Sequence, residues 1–327
     1  MENWTVLVTQ GIPDAGIQLL EQSGFRILST SSDPGSGNIS LRKSIASADA
    51  VLSLLTDTLD SKVINSARHL KIIANYAVGF NNIDIATCTR RGIAVTNTPG
   101  VLTEATADMA MALLLAVAKR VLEADAYIRK GLFRGWDPTL FLGADLNGRT
   151  LGIIGAGRIG KAVARRAFGF ELRILYTDRK KVAEIENDFN ATRVDLEDLL
   201  RRSDFVTLHV PLHETTHHLI DARRLSMMKP GAFLINTSRG PVVDEQALLE
   251  SLKKKHLRGA GMDVYEMEPE LTPGLTDLPN TVLLPHIASS TVATRNKMAR
   301  MAAENIIAMS RNLRPPNLVN PEIFNRV

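Results

Sequence analysis

Along most of the chain, short apolar runs alternate with longer stretches whose apolar residues recur every three or four positions. In the first hundred residues "TVLVT" (5–9), "AVLSLL" (50–55), "KIIANY" (71–76) and "IAVTN" (93–97) have the length and composition of buried strands. Between them "DAGIQLLEQSG" (14–24), "SKVINSARHL" (61–70) and "NIDIATCTRRG" (82–92) read as helices, the first and last ending on glycine. "SSDPGSGN" (31–38) is the clearest loop. A long apolar-periodic helix is expected over about 103–130, followed by the loop-rich "GLFRGWDPTLFLGADLNGRT" (131–150). A second series then supplies the strands "TLGIIG", "RILYT", "FVTLHV", "AFLIN", "GAGMDV" and "TVLLPH", with a last helix over about 291–310. Strands alternating with helices predict an α/β protein with parallel sheets. No internal repeat or low-complexity segment interrupts the pattern.

Composition narrows the partners. The 327 residues suffice for two domains, each with its own core, and are 45% apolar and 23% charged. Lys plus Arg exceed Asp plus Glu by only 39 to 35, and the densest basic runs (179–181 and 253–255) lack interleaved aromatics. They read as solvated faces, so no nucleic-acid partner is expected. The one cysteine, Cys88, allows no internal disulfide and no thiolate cluster. No basic-then-apolar leader opens the chain, and the most apolar helix, about 109–118, is too short to cross a bilayer. A soluble, cytoplasmic protein without a membrane partner is expected.

The second series opens with Gly155-Ala156-Gly157-Arg158-Ile159-Gly160, directly after a strand and at the start of the helix "RIGKAVARRAFGF". In that context GxGxxG marks a dinucleotide site. The first glycine permits the turn, the second lets the backbone approach a pyrophosphate, and the third lets helix pack on strand. The phosphates would lie on the free N–H groups of the helix start, around Arg158 and Ile159. "RILYTD" then ends a second strand in Asp178, at the place where an acid grips the adenosine ribose. The motif stands after about 150 residues, so the first half is a separate α/β lobe and the cleft between lobes is the expected substrate site.

"GAFLINTSRG" (231–240) poses the sharpest question, because an apolar strand runs directly into Arg239. A guanidinium keeps its proton, and burying one unpaired is costly, so the strand either surfaces there or meets an anion. The later strands end on His209 to Pro211, on Thr237-Ser238-Arg239, on Asp263 and on His286, all of which would face a nicotinamide. The adjacent pair His217-His218 seldom aims at one ion, and no thiol or carboxylate cluster accompanies it, so no metal is expected. His69, His213 and His256 read as surface residues.

With these residues in view, the chain resembles the D-isomer-specific 2-hydroxyacid dehydrogenases almost end to end. The matching stretches are "NYAVGFNNID", "TADMAMALLLA", "GIIGAGRIG", "HVPLHETTHHLI", "INTSRGPVVDEQAL", "GAGMDVYEMEP" and "LLPHIASST". Through "GWDPTLFLG" it is most similar to the glyoxylate and hydroxypyruvate reductases. The resemblance implies two Rossmann-like or flavodoxin-like lobes, a substrate-binding domain of residues 1–100 plus 290–327 and an NAD(P)-binding Rossmann domain of 101–289. It implies a catalytic triad of Arg239, Glu268 and His286, whose chemistry suits reduction of a 2-keto acid. Arg239 would anchor carboxylate and carbonyl, His286 would donate the proton, and Glu268 would orient the imidazole and favour its protonated form.

The resemblance also makes the N–H groups of Val78 and Gly79 a second carboxylate anchor, with Leu54, Ser53 and Asn75 nearby. Asn81 stands where many relatives carry Asp. Thr106, Val78 and Ala288 would lie along the cofactor, with Asp263 and the Thr237 carbonyl on its carboxamide and His209, Pro211 and Ser238 beside it. NAD(H) is expected over NADP(H), because Asp178 would repel a 2′-phosphate, although Arg179 and the lysines after it could attract one. "MAMALLLAVA" (109–118) carries more apolar surface than one side of a helix buries, so a homodimer is expected. Trp136 would either reach the partner's pocket or pack locally. The readings to be separated are a glyoxylate/hydroxypyruvate reductase, a D-3-phosphoglycerate dehydrogenase, and an NAD(H)-sensing corepressor-like binding protein.

Overall fold

The computed structural model describes residues 4–29 and 37–324, and the chain divides into two compact units, 1–102 with 290–327 and 103–289. In unit 1 a five-stranded parallel sheet runs in the order β2-β1-β3-β4-β5. Its strands are β1 (Thr5–Val8), β2 (Arg26–Ser29), β3 (Ala50–Ser53), β4 (Ile72–Asn75) and β5 (Ala94–Thr96). Every residue of β3, β4 and β5 is buried, as continuous apolar runs in a doubly covered parallel sheet must be. The helices are α1 (Asp14–Gln22), α2 (Gly37–Ile45), α3 (Ser61–Ser66) and α4 (Ile85–Arg90). Asp60 and Asp84 cap α3 and α4, their carboxylates accepting from the N–H of Val63 and Thr87. Cys88 is fully buried in α4, and burial pushes its thiol up to about 12.

Unit 2 opens with α5 (Thr103–Ala118) and α6 (Val121–Arg129). The series continues through β6 (Thr150–Ile154), α7 (Arg158–Gly169), β7 (Arg173–Thr177), α8 (Ala183–Phe189), β8 (Thr192–Arg193) and α9 (Leu196–Arg202). It closes with β9 (Phe205–Leu208), α10 (Ala222–Met227), β10 (Phe233–Asn236), α11 (Glu245–Lys253), β11 (Gly259–Met262) and β12 (Thr281–Leu283). The seven parallel strands are ordered β12-β11-β10-β9-β6-β7-β8, so the winding reverses between β6 and β9, the position where such sheets bind ligands. α5 lies close over β11: a Cβ at Gly261 would come within 2.9 Å of Leu113 Cβ. The last helix, α12 (Val292–Ser310), belongs to unit 1 and packs on α1, where Gly16 leaves no room for a side chain against Ala299.

The α/β class and both parallel sheets agree with the hydrophobic pattern, but three local readings need correction. The single helix expected over 103–130 is two. Arg120 adopts a left-handed backbone (φ 55°), its guanidinium gripping Glu123 at 2.7 and 3.0 Å, and the Ala118 carbonyl accepts the Ala144 N–H at 2.8 Å. Residues 31–36 of the expected loop lie outside the described residues, while Gly37 and Asn38 already belong to α2. The strands β2 and β8 were not expected; β2 has no fully buried residue and β8 is two residues long.

Candidate active site

Along the C-terminal edge of the unit 2 sheet, the glycine loop takes the shape that its spacing foretells. Gly155 has φ 92°, and a Cβ there would press within 2.8 Å of the His209 carbonyl. Gly160 backs directly onto the Gly155 carbonyl, so it too admits no side chain. Gly157, the residue before α7, has open space around it and caps the helix with no side chain. The first turn of α7, from Arg158 through Ile159, therefore offers backbone N–H groups beside a bare glycine, a cradle suited to a pyrophosphate. Asp178 follows β7 and its carboxylate accepts from the Ala156 N–H at 2.8 Å, which fixes it to this loop.

The basic residues after Asp178 are unequally placed. Arg179 and Lys180 are exposed, whereas Lys181 pairs with Glu186 at 3.0 Å. Arg193, on β8, donates to the carbonyls of Asp178 and Arg179 at 2.8 and 3.2 Å. Sequence reasoning missed this guanidinium because the short β8 carries no pattern of its own.

Beyond β10 the chain turns on Asn236, which is fully buried. Its Oδ1 accepts from the Ser238 N–H (3.0 Å) and hydroxyl (2.8 Å), while its Nδ2 donates to the Arg239 carbonyl at 2.9 Å. These three bonds decide the course of Thr237-Ser238-Arg239. Gly240 then packs on the backbone of Tyr265 and Glu266 so closely that no Cβ fits. Arg239 is partly buried, and burial pulls its guanidinium below its ordinary value while the charge of Glu268 pushes the other way. It remains a cation.

Glu268 and His286 meet directly. Glu268 Oε2 lies 2.8 Å from His286 Nδ1, and Glu268 Oε1 accepts the Tyr265 N–H at 2.9 Å. Burial alone would raise the Glu268 carboxyl. His286, the Tyr265 N–H and Arg239 together outweigh burial and hold it below the usual carboxylate range. His286 is not on β12 but three residues beyond it, in a left-handed conformation (φ 54°) uncommon for a residue with a side chain. What holds it there is Asp263, fully buried, whose two oxygens accept the N–H groups of Ile287 (2.8 Å) and Ala288 (2.7 Å). Burial raises the Asp263 carboxyl and these two bonds oppose the rise.

The remaining candidates are less tightly gathered. Thr237 is buried with its hydroxyl unpartnered among the described residues, Thr106 is buried near the start of α5, and Pro211 is exposed. In unit 1, Asn75 donates to the Gly79 carbonyl at 2.8 Å and Asn97 to that of Val78 at 2.7 Å. The turn is thereby held with the Val78 and Gly79 N–H groups unpaired among the described residues. Leu54 lies after β3, its N–H donating to Asp57 at 2.7 Å.

Comparison with known proteins joins these features. The family described as "D-isomer specific 2-hydroxyacid dehydrogenase, NAD binding domain" matches residues 111–288. Glyoxylate reductase of Thermococcus litoralis is 49% identical over 98% of this chain and 97% of its own length. This chain belongs to that dehydrogenase family. Glyoxylate reductase of Korarchaeum cryptofilum is 50% identical, over 97% of this chain and 96% of its own. Among solved structures, the NADPH-dependent glyoxylate/hydroxypyruvate reductase of Sinorhizobium meliloti, in complex with NADP and malonate, superposes with a TM-score of 0.87. It is 31% identical and covers 97% of each chain. Membership in the dehydrogenase family makes a nicotinamide dinucleotide the cofactor, and the glycine cradle fits it.

Two supports of this dehydrogenase site escaped sequence reasoning. Glu245, buried at the start of α11, accepts the Glu266 N–H at 2.6 Å and the Thr272 hydroxyl at 2.8 Å, pinning the loop that presents Glu268. Tyr265 donates to the Leu284 carbonyl at 2.9 Å, tying that loop to the end of β12. Tyr265 stands three positions after an apolar strand and Glu245 at a helix start, and neither setting names a partner.

His209 offers a measurable consequence. Its Nε2 meets the Thr207 hydroxyl at 2.9 Å, its Nδ1 is buried without a partner, and burial pushes its pKa down to about 3. An unfolded histidine binds a proton near about 6.5, so between that value and about 3 the unfolded chain holds the extra proton. Stability should therefore fall as the pH is lowered through this window, by up to about 1.4 kcal/mol per pH unit from this group. Urea unfolding of the parent and of His209→Gln at pH 7, 6 and 5 should show the parent losing stability relative to the variant. Parallel loss in both would reject the assignment.

Proposed function

We propose that the protein reduces small 2-keto acids, glyoxylate and hydroxypyruvate foremost, to D-2-hydroxy acids. The observation that carries this reading is the 2.8 Å contact of His286 with Glu268, with Arg239 close enough for its charge to act on the same carboxylate. When bound on the glycine cradle, a nicotinamide cofactor would supply or accept the hydride. Arg239 holds the substrate's carboxylate and carbonyl oxygen with its fork of donors. Glu268, bonded to Nδ1, fixes the orientation of the imidazole and leaves Nε2 to act as the proton donor. After reduction His286 is neutral, and in the reverse direction it takes the hydroxyl proton. We assign Val78 and Gly79 as further carboxylate donors, with Leu54 beside them. To the cofactor we assign Thr106, Gly155, Gly157, Gly160, Thr237, Asp263 and Ala288. The names of the relatives favour this reading over a phosphoglycerate dehydrogenase and over a corepressor.

For the cofactor we propose NADH over NADPH. Asp178 is fixed at the strand end by Ala156, where its charge meets the ribose, and one of the three basic residues after it is committed to Glu186. A 2′-phosphate would set like charges together. For assembly we propose a homodimer through α6 and the loop after it, and not through residues 109–118, whose apolar side chains pack into the core of unit 2 itself. No residue of α6 is buried, and Ile128, Phe133, Leu142 and Trp136 are exposed, Trp136 by 86%. That is a larger apolar face than an isolated surface helix usually shows. Among the described residues no helix is long and apolar enough to cross a membrane, and we place the protein in the cytoplasm.

NADH should be consumed with glyoxylate. His286→Ala should lower turnover by roughly 10²–10⁴-fold, and Arg239→Ala should abolish most of it while cofactor affinity, read by fluorescence titration, stays near normal. Near-parental turnover in either variant would remove that residue from the mechanism. The kcat/KM ratio of NADH to NADPH should exceed one and shrink or invert in Asp178→Ala; a parent at least as efficient with NADPH would show that the basic residues decide. Sedimentation equilibrium at micromolar concentration should return twice the 35.8 kDa chain mass. A monomer there would defeat the dimer.

A further inference from the structure

Ten residues beyond β9, the chain makes a strained turn that the reductase chemistry leaves unexplained. His218 has a left-handed backbone (φ 47°), and its N–H donates to the Pro241 carbonyl at 2.8 Å. Neighbouring side chains ordinarily point apart, but this backbone brings the rings of His217 and His218 into a stack, 4.1 Å between centroids and 28° from parallel. His218 Nε2 lies 2.6 Å from Glu266 Oε1. One donor atom from each of His217, His218 and Glu266 falls within 4.8 Å of the other two. A non-glycine residue held in a sparsely populated backbone region is a reason to look for a function.

The donor set has a definite chemistry. Two neutral imidazoles and a carboxylate suit a borderline-soft divalent cation, zinc above all, and suit magnesium or calcium poorly. Zinc takes nitrogen and oxygen ligands at about 2.0–2.2 Å, which sets tetrahedral donors about 3.3 Å apart. The His218–Glu266 contact would open slightly and exposed His217 would swing in, with water completing the shell. The ion would take the place of the direct contact between His218 and Glu266.

The backbone around these donors is already fixed. Glu266 receives the Glu245 N–H at 3.3 Å on its other oxygen, and its own N–H goes to Glu245 at 2.6 Å. Ile220 donates to the Val242 carbonyl at 3.0 Å, so the histidine turn is tied to the segment just after Arg239. We propose that His217, His218 and Glu266 form a binding site for a zinc-type divalent cation, separate from the hydride-transfer residues. It joins the turn after β9, itself bonded to the segment that follows Arg239, to the loop that carries Glu268. Occupancy there cross-links the histidine turn to the loop that presents Glu268.

The test is calorimetric titration of the full chain, freed of metal by chelation, with zinc chloride at pH 7.5. One zinc per chain should bind with micromolar affinity, and the unfolding temperature should rise with zinc. Removing the exposed ligand, His217→Gln, should weaken binding by roughly tenfold or more, since disturbing even an outer partner of a metal site costs that much. Glu266→Gln should do the same, and His213→Gln, on an exposed histidine four residues away, should change nothing. Circular dichroism of each variant confirms the fold. Binding that survives His217→Gln, or that is lost instead with His286→Gln, would place the ion elsewhere and overturn the proposal. So would a parent chain that takes up no zinc at micromolar concentration.

Discussion

Two backbone N–H groups, those of Ile287 and Ala288, donate to the one buried carboxylate of Asp263, and His286 hangs from that clamp. β12 ends at Leu283, so no strand hydrogen bond reaches His286. Without an anchor beyond it, a left-handed histidine would relax to an ordinary conformation and take its ring away from Glu268. Burial makes the arrangement decisive, since an unsatisfied carboxylate in the sheet edge would cost several kcal/mol and the chain must deliver the two donors. The same logic recurs at Asn236 and Glu245, each a buried polar side chain whose bonds set the course of a loop. The loops of the unit 2 site are thus carried by an inner row of buried polar groups.

Much of this molecule could be read from its residues, and the reasons are physical. Buried parallel strands such as β4 and β10 announce themselves as unbroken apolar runs, and Gly155 and Gly160 sit where only a missing Cβ permits the packing. Arg239 was conspicuous because a charge directly after a core strand demands an explanation. The resemblance to a known family, not periodicity, singled out Glu268 and the turn at Val78.

What escaped was of two kinds. Strands β2 and β8 lie at sheet edges, where half the surface is solvated and the apolar signal fades. The break at Arg120 was hidden because its cause is tertiary: the helix yields where Gly143 packs on the Ala118 carbonyl and the Ala144 N–H donates to it. Nothing local in "AVAKRVLEA" says so. The stacking of His217 on His218 was likewise beyond reach, since it follows from a single positive φ that no neighbouring glycine advertises.

That junction at Ala118 has a further meaning. Because Ala144 returns to the residue at which the chain departed, and Arg258 fastens the carbonyls of Leu142 and Gly143 at 2.9 and 3.1 Å, residues 119–143 form a closed excursion from unit 2. Its two ends are stitched together independently of what lies between them. Evolution can lengthen, shorten or re-surface such a detour while the dinucleotide sheet keeps its register, because the entropy of closing a loop grows only slowly with its length. The chain has in effect separated its inheritance into two ledgers, one for chemistry held under the sheet edge and one for company kept at the surface.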